Sequence, residues 1–120
     1  MVTIETTDRW MRRLRAAWIA GDVEAALGLF QKTERYYERP FQPGTTQAEI
    51  RRYWEDIVSL SEISLEYEVM AVNGPTAIVH WVNRFRSPSS PLNHLDGVFA
   101  ITFDDELNCI EFRQWWFMAK

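Results

Sequence analysis

The chain has 120 residues, of which 47% are hydrophobic and 25% charged, and this predicts one globular domain spanning residues 1–120. The formal net charge of −4, from 13 basic and 17 acidic residues, provides no basic field to attract phosphates and argues against nucleic-acid binding. The single cysteine, Cys109, excludes an intramolecular disulfide framework and a multi-cysteine zinc site.

The first residues lack a basic region followed by an apolar run, so they predict no signal peptide. No apolar stretch approaches the roughly 20 residues that span a bilayer. We therefore expect a soluble, cytoplasmic protein with no membrane partner.

The N-terminal segment predicts two consecutive helices. Thr7 or Asp8 can cap the first, and apolar residues at helical spacing extend it over about residues 8–20. Gly21 ends this helix, and Asp22 caps a short second one.

A short strand and a third helix follow. The aromatic segment 35–39, which precedes a proline, predicts an edge strand. After a turn, Thr45 or Thr46 with Glu49 predicts a capping box for a helix over about 46–58.

From Ile63 onward the apolar period changes from 3.6 to 2, which predicts a series of strands. The first begins at Ile63, and the later ones cover about 77–86, 94–103 and 109–117. No crossover helix separates them, so the fold class is α+β. We expect three N-terminal helices packed in the concave face of a curved, mostly antiparallel sheet, a cone-shaped half-open barrel.

Several segments together resemble the nuclear-transport-factor-2-like superfamily, in particular its SnoaL-like and steroid-isomerase-like members. The segments are 16–30 (AAWIAGDVEAALGLF), 37–40 (YERP) with Gly44, 48–54 (AEIRRYW), 96–105 (DGVFAITFDD) and 110–113 (IEFR). The resemblance implies a pocket between the helices and the concave sheet, small apolar cyclic substrates, and homodimers formed through the outer face of the sheet.

The catalytic pattern of the steroid-isomerase-like members does not carry over to this chain. Their helix-one tyrosine corresponds to Leu14, their strand carboxylate to Arg39, and their second acid to a position near Phe99. Glu38, beside Arg39, is a candidate displaced base. The alternative for Glu38 is a surface ion pair with a neighbouring arginine.

Asp96 and His80 are the other candidate acid–base residues. In SnoaL-like members a catalytic aspartate lies near the position of Asp96, and His80 can serve as its partner on the adjacent strand. In a regular strand Asp96 shares a face with Val98, whereas Phe99 lies on the bulkier face that meets the helices. A bulge at Gly97 would reverse this assignment. Both residues also admit purely structural roles.

Six Trp, four Tyr and seven Phe are more flat apolar surface than a core of this size requires, which favours a lined cavity or an interface. The predicted ligand-binding residues are Trp18, Leu14, Tyr36, Trp54, Phe99, Phe112 and Trp116, and further aromatic candidates for the wall are Trp10, Tyr53 and Trp81. Trp115 and Trp116 are consecutive on a strand, so one of them faces outward and is available to a dimer.

Two functions fit these features. The first is a small-molecule-binding domain that acts as an isomerase, cyclase or hydrolase-like enzyme on a hydrophobic cyclic substrate. The alternative is a non-catalytic homodimeric module that binds a ligand or a protein. No metal-ligand spacing or phosphate-binding loop is present in the sequence, so we expect no cofactor and no metal.

Overall fold

The computed structural model describes residues 1–119, which form three α-helices, one 3₁₀ helix and a five-stranded sheet. Residue 120 of the predicted domain lies outside the described range. In chain order the elements are α1 (Ile4–Ala20), α2 (Val23–Leu29), β1 (Arg35–Tyr37), α3 (Gln47–Trp54), the 3₁₀ helix (Glu55–Ser59), β2 (Ser61–Asn73), β3 (Thr76–Ser87), β4 (Ser90–Phe103) and β5 (Cys109–Met118).

The strand order in the sheet is β1-β5-β4-β3-β2. Strands β2 to β5 form an antiparallel meander, whereas β1 pairs in parallel with the last strand, with Tyr36 opposite Phe112. Register shifts between Ser61 and Ser64 and between Val69 and Ala71 interrupt the ladder of β2, and such irregularities bend a strand. The predicted α+β fold, with helices on a curved and mostly antiparallel sheet, is confirmed.

Helix α1 begins four residues earlier than the predicted start at residue 8. Thr3 is the N-cap, and its side chain accepts a hydrogen bond from the Thr6 backbone in a reciprocal capping box. Thr7, which the sequence offered as a cap, is instead buried, and its hydroxyl donates to the Thr3 carbonyl oxygen at 2.8 Å. Gly21, with φ of 67°, ends the helix as predicted.

The third helix has its predicted start but a different end. Thr46 and Glu49 form the predicted capping box, yet α-helical geometry stops at Trp54. The chain continues to Ser59 as a 3₁₀ helix, a tighter helix in which each hydrogen bond spans three residues instead of four.

Three strand boundaries also differ from the predictions. Strand β2 begins at Ser61 rather than at Ile63. Strand β1 covers residues 35–37 rather than 35–39, so Glu38 follows the strand instead of belonging to it. Strand β4 begins at Ser90 rather than at residue 94, because Ser87 and Ser90 are register partners across a tight turn and the predicted loop is shorter.

The core lies between the helices and the concave face of the sheet. Along β3, Val79, Trp81 and Asn83 are fully or almost fully buried, as the predicted alternation requires. From α1, Trp10 packs edge-to-face against Phe30 with a centroid distance of 5.6 Å. Burying a large apolar side chain of this kind contributes about 1.5–3 kcal/mol to the stability of the fold. This free energy fixes which residues of each strand face the helices.

The ladder through β4 is regular at Gly97, which pairs with Trp81 on one side and Trp116 on the other. The alternative of a bulge at this position is therefore wrong. Phe99 and Ile101 face inward and are buried, whereas Asp96 is on the outer face.

Candidate functional site

A cavity of about 140 Å³ lies between α1, α3 with the 3₁₀ helix that follows it, and the concave face of the sheet. Its wall is dominated by aromatic rings. Trp18 from α1 and Trp54 from α3 meet edge-to-face at 5.3 Å, and on the sheet side Trp81 stacks with Phe99 at 5.1 Å.

The structure places most of the predicted ligand-binding residues in this wall. Those that line the cavity are Trp18, Tyr36, Trp54, Phe99, Phe112 and Trp116. Leu14 does not: it is completely buried in the core and does not border the cavity, so its predicted contact with a ligand has no geometric support. Of the two consecutive tryptophans, Trp116 faces the cavity and Trp115 faces outward.

Of the further aromatic candidates for the wall, Tyr53 and Trp81 line the cavity and Trp10 does not. The wall residues that the sequence analysis did not name are Ile57, Asn83, Phe85, Leu95 and Gln114. The alternation of β3 puts Trp81, Asn83 and Phe85 on one face, so this strand's contribution could have been found from the sequence. The contributions of Ile57 and Gln114 depend on how distant segments meet.

Glu38 is the candidate acid–base residue that the structure places in the cavity wall. Half-buried beyond the end of β1, it sits beside Gln114, whose side-chain amide donates to the Glu38 carbonyl oxygen at 3.3 Å. Burial raises the pKa of Glu38 from 4.5 to about 7, against the opposing effects of the Arg39 charge and of Gln114. A carboxyl group with this pKa can accept or donate a proton at neutral pH.

His80 and Asp96 do meet, but on the outer face of the sheet. The distance from His80 Nε2 to Asp96 Oδ1 is 2.8 Å, and the two side chains are 39% and 63% exposed. Neither residue borders the cavity. The predicted pairing is therefore present, but on the face that a regular strand predicts for Asp96 and not in the pocket, because β4 keeps a regular alternation through Gly97.

Gly97 is needed for the shape of the cavity. A Cβ atom at this position would stand 2.6 Å from Trp81 Cε2 and 2.5 Å from the Trp115 carbonyl oxygen. The missing side chain therefore lets the Trp81 indole lie flat across the sheet, where it forms part of the cavity floor.

Four wall residues carry buried polar atoms that have no hydrogen-bond partner among residues 1–119. These atoms are the indole nitrogens of Trp18, Trp54 and Trp81 and both side-chain amide atoms of Asn83. Tyr36 is also buried in the wall beside the Trp54 indole, and burial raises its pKa well above the ordinary value against the opposing effect of that indole.

Other functional groups are not assembled within the described residues. No cluster of three or more His, Cys, Asp or Glu side chains in residues 1–119 could hold a metal ion. Burial raises the pKa of Cys109 to about 12, so this thiol is not a nucleophile at neutral pH. Among the same residues, no helix has both the length and the apolar composition needed to cross a membrane.

Helices packed against the concave face of a curved sheet, with an aromatic pocket between them, define a nuclear-transport-factor-2-like α+β domain. The family model described as SnoaL-like domain matches residues 11–108, and the chain belongs to this family. No curated protein matches the chain significantly.

Two solved structures illustrate the similarity. One is the epoxide hydrolase/cyclase-like enzyme SalBIII, with a role in pyran ring formation in the polyether salinomycin; it is 18% identical, with a TM-score of 0.75 over 94% of this chain and 88% of that one. The other is the Δ5-3-ketosteroid isomerase from Mycobacterium sp., which is 16% identical, with a TM-score of 0.76 over 95% of this chain and 97% of that one. At these identities the similarity establishes the fold.

Proposed function

We propose that the protein is an isomerase- or cyclase-type enzyme that uses Glu38 as its general acid–base on a small, apolar, cyclic substrate. The observation that carries this proposal is the position of a carboxyl group in a pocket whose other lining is mainly aromatic. Such a pocket binds a flat apolar molecule through its rings and leaves proton transfer near neutral pH to Glu38, the carboxyl group that borders it.

The environment of Glu38 supports a catalytic role. With a pKa of about 7, the group is present in comparable amounts as acid and as base at neutral pH, which is the condition for efficient proton transfer in both directions. The reaction classes of the two structural neighbours, cyclisation and isomerisation, are compatible with this chemistry, because each requires a proton to be moved on the substrate.

The test is an activity assay with single-ring probes. Conversion of 3-cyclohexenone to its conjugated isomer is followed by ultraviolet absorbance, and cyclisation of 4,5-epoxypentan-1-ol by NMR. Glu38→Gln should lower kcat/KM for an accepted probe by about 10²- to 10⁴-fold, while Glu34→Gln, which removes an exposed carboxylate from the same segment, serves as the matched control.

If the ionised carboxylate of Glu38 acts as the base, kcat/KM should follow its ionisation in the free enzyme. It should rise with pH and level off above about pH 7. Equal activity of the parent protein and Glu38→Gln on every accepted probe would rule out the proposed role. The same assay on Asp96→Asn and His80→Gln tests the acid–base role that the sequence predicts for those two residues.

A second proposal concerns the outer face of the sheet, which we expect to form a homodimer. Trp115 is 46% exposed and Phe117 74% exposed, and in the sheet register they neighbour Val98 and Asp96, respectively. Exposed large apolar residues that share one face are the feature that an isologous interface buries. This face also supports the alternative function, a non-catalytic dimeric module that binds a ligand or a protein.

Sedimentation equilibrium measures whether the protein is a monomer or a dimer. The parent protein should sediment as a dimer, and Trp115→Lys should shift it toward the monomer. Val58→Lys, which alters an apolar residue that is 67% exposed and outside the sheet, is the control. A parent protein that remains monomeric at high concentration would refute the dimer.

A further inference from the structure

The buried side-chain polar atoms that lack a partner in residues 1–119 all belong to residues that border one cavity. They are Nε1 of Trp18, Trp54 and Trp81, and Nδ2 and Oδ1 of Asn83. In folded proteins the large majority of buried polar atoms are hydrogen-bonded. Several unpartnered atoms around the same space therefore indicate a molecule that enters this space and supplies the missing partners.

Asn83 is the most informative of these residues. Its side chain is completely buried, and the neighbouring inward positions of β3 are Trp81 and Phe85, both in the cavity wall. An alternating strand that only needed to fill the core would carry an apolar residue here, because an unpartnered amide loses its hydrogen bonds with water on burial. The amide borders the cavity and has no hydrogen-bond partner within residues 1–119.

The unpartnered groups offer mainly donors. An indole nitrogen can only donate, whereas an asparagine amide donates through its nitrogen and accepts through its oxygen. A carbonyl, ether or epoxide oxygen complements such a set. An ammonium group offers no acceptor to the three indole N–H groups, although Glu38 would attract it, and a carboxylate would be repelled by Glu38, which borders the same cavity and is partly ionised at neutral pH.

The cavity has room for one ring. It measures about 140 Å³, close to the roughly 150 Å³ of an engineered apolar cavity that accommodates benzene. One six-membered ring therefore fits between the tryptophans.

We propose that Asn83 and the indole N–H groups of Trp18, Trp54 and Trp81 form a polar subsite that binds the carbonyl or ether oxygen of an uncharged, single-ring substrate. This inference rests on the proposed function, because it assigns a substrate class to the pocket that contains Glu38. The aromatic faces hold the ring, and the donors orient it by its oxygen.

The experiment compares three ring compounds of matched size: cyclohexanone, tetrahydropyran and methylcyclohexane. Binding to the ¹⁵N-labelled protein is followed through the tryptophan indole N–H signals, assigned with single Trp→Phe variants. The two oxygen-bearing rings should shift the indole signals of Trp18, Trp54 and Trp81 downfield, since those protons gain an acceptor. Trp10, which does not border the cavity, and Trp115, which faces outward, provide internal references.

Asn83→Leu tests the subsite directly, with an apolar side chain of similar size. Loss of one hydrogen bond to a neutral group should weaken cyclohexanone binding by about two- to tenfold and leave methylcyclohexane binding unchanged or stronger. Trp81→Phe, which keeps a ring on the cavity floor and removes one donor, is the second variant and should show the same selectivity.

Three results would overturn the inference: equal affinity for cyclohexanone and methylcyclohexane, an unchanged preference in both variants, or no binding of any probe up to its solubility limit. The proposed function is judged by a separate measurement, the activity of Glu38→Gln. If the protein binds methylcyclohexane and cyclohexanone equally but Glu38→Gln abolishes turnover, the polar subsite is refuted and the proposed enzymatic function stands.

Discussion

Replacing Glu38 by glutamine should make the protein more stable at pH 8 and abolish a decline in stability that the parent protein shows between about pH 4.5 and 7. In the unfolded chain this glutamate ionises with a pKa near 4.5, whereas in the folded protein burial raises its pKa to about 7. Between these values the folded state holds a proton that the unfolded state has released. The free energy of unfolding therefore falls as the pH rises through this window.

The magnitude follows from the two pKa values. A pKa difference of one corresponds to about 1.4 kcal/mol, so the full difference corresponds to about 3 kcal/mol. Glu38 is half-buried rather than fully enclosed, and solvent screening reduces the effect to about 2 kcal/mol. This contribution is fully present below pH 4.5 and fully lost above about pH 7.

Urea unfolding at intervals from pH 4.5 to 8.5 measures this contribution. The difference in unfolding free energy between Glu38→Gln and the parent protein should grow by about 2 kcal/mol across that range. Glu34→Gln, with one exposed carboxylate removed, controls for the change in net charge. Parallel pH profiles for the parent protein and Glu38→Gln would refute the reasoning, because the Glu38 carboxyl group would then have the same pKa in the folded and the unfolded protein.

The other predictions concern packing and capping. Gly97→Ala should lower the free energy of unfolding by about 1–3 kcal/mol in urea titrations, because its Cβ would stand 2.6 Å from Trp81 Cε2 and force the ring to move; unchanged stability and tryptophan fluorescence would contradict the packing. Thr3→Ala should cost about 1 kcal/mol through loss of the α1 N-cap, whereas Thr3→Ser should retain most of it. Asn83→Leu should raise the free energy of unfolding by about 1 kcal/mol in the absence of ligand, because it removes an unpartnered buried amide; a lower melting temperature would show that the amide has a partner.

The fold was largely predictable because its elements depend on local patterns. The alternation along β3 put Trp81 on the buried face, and the capping residues Thr46 and Glu49 located the start of α3. The start of α1 was missed because Thr3, Thr7 and Asp8 are all suitable caps, and the choice among them depends on which residues the sheet buries.

The candidate site was predictable in part. The helical and strand periodicities show which aromatic residues share an inward face, and these residues form the wall. Six of the seven predicted ligand-binding residues border the cavity. The position of Asp96 depended on one question, whether β4 bulges at Gly97, and a single sequence offers no answer. Gly97 leaves the space that the Trp81 ring on the neighbouring strand occupies. Residue spacing along the sequence does not reveal a contact of this kind between two strands.

The parallel pairing of β1 with β5 has a consequence for how the protein folds. Gln114 and Glu38 are joined by a hydrogen bond across 76 positions of the chain, and Thr33 is bonded to the Cys109 carbonyl oxygen over the same separation. Contacts of such long range close large loops and form slowly. During synthesis, the helices and the first hairpin can form while the segment carrying Glu38 still lacks the strand it docks on. We therefore expect the pocket to be completed at the end of folding, when the final strand closes the sheet.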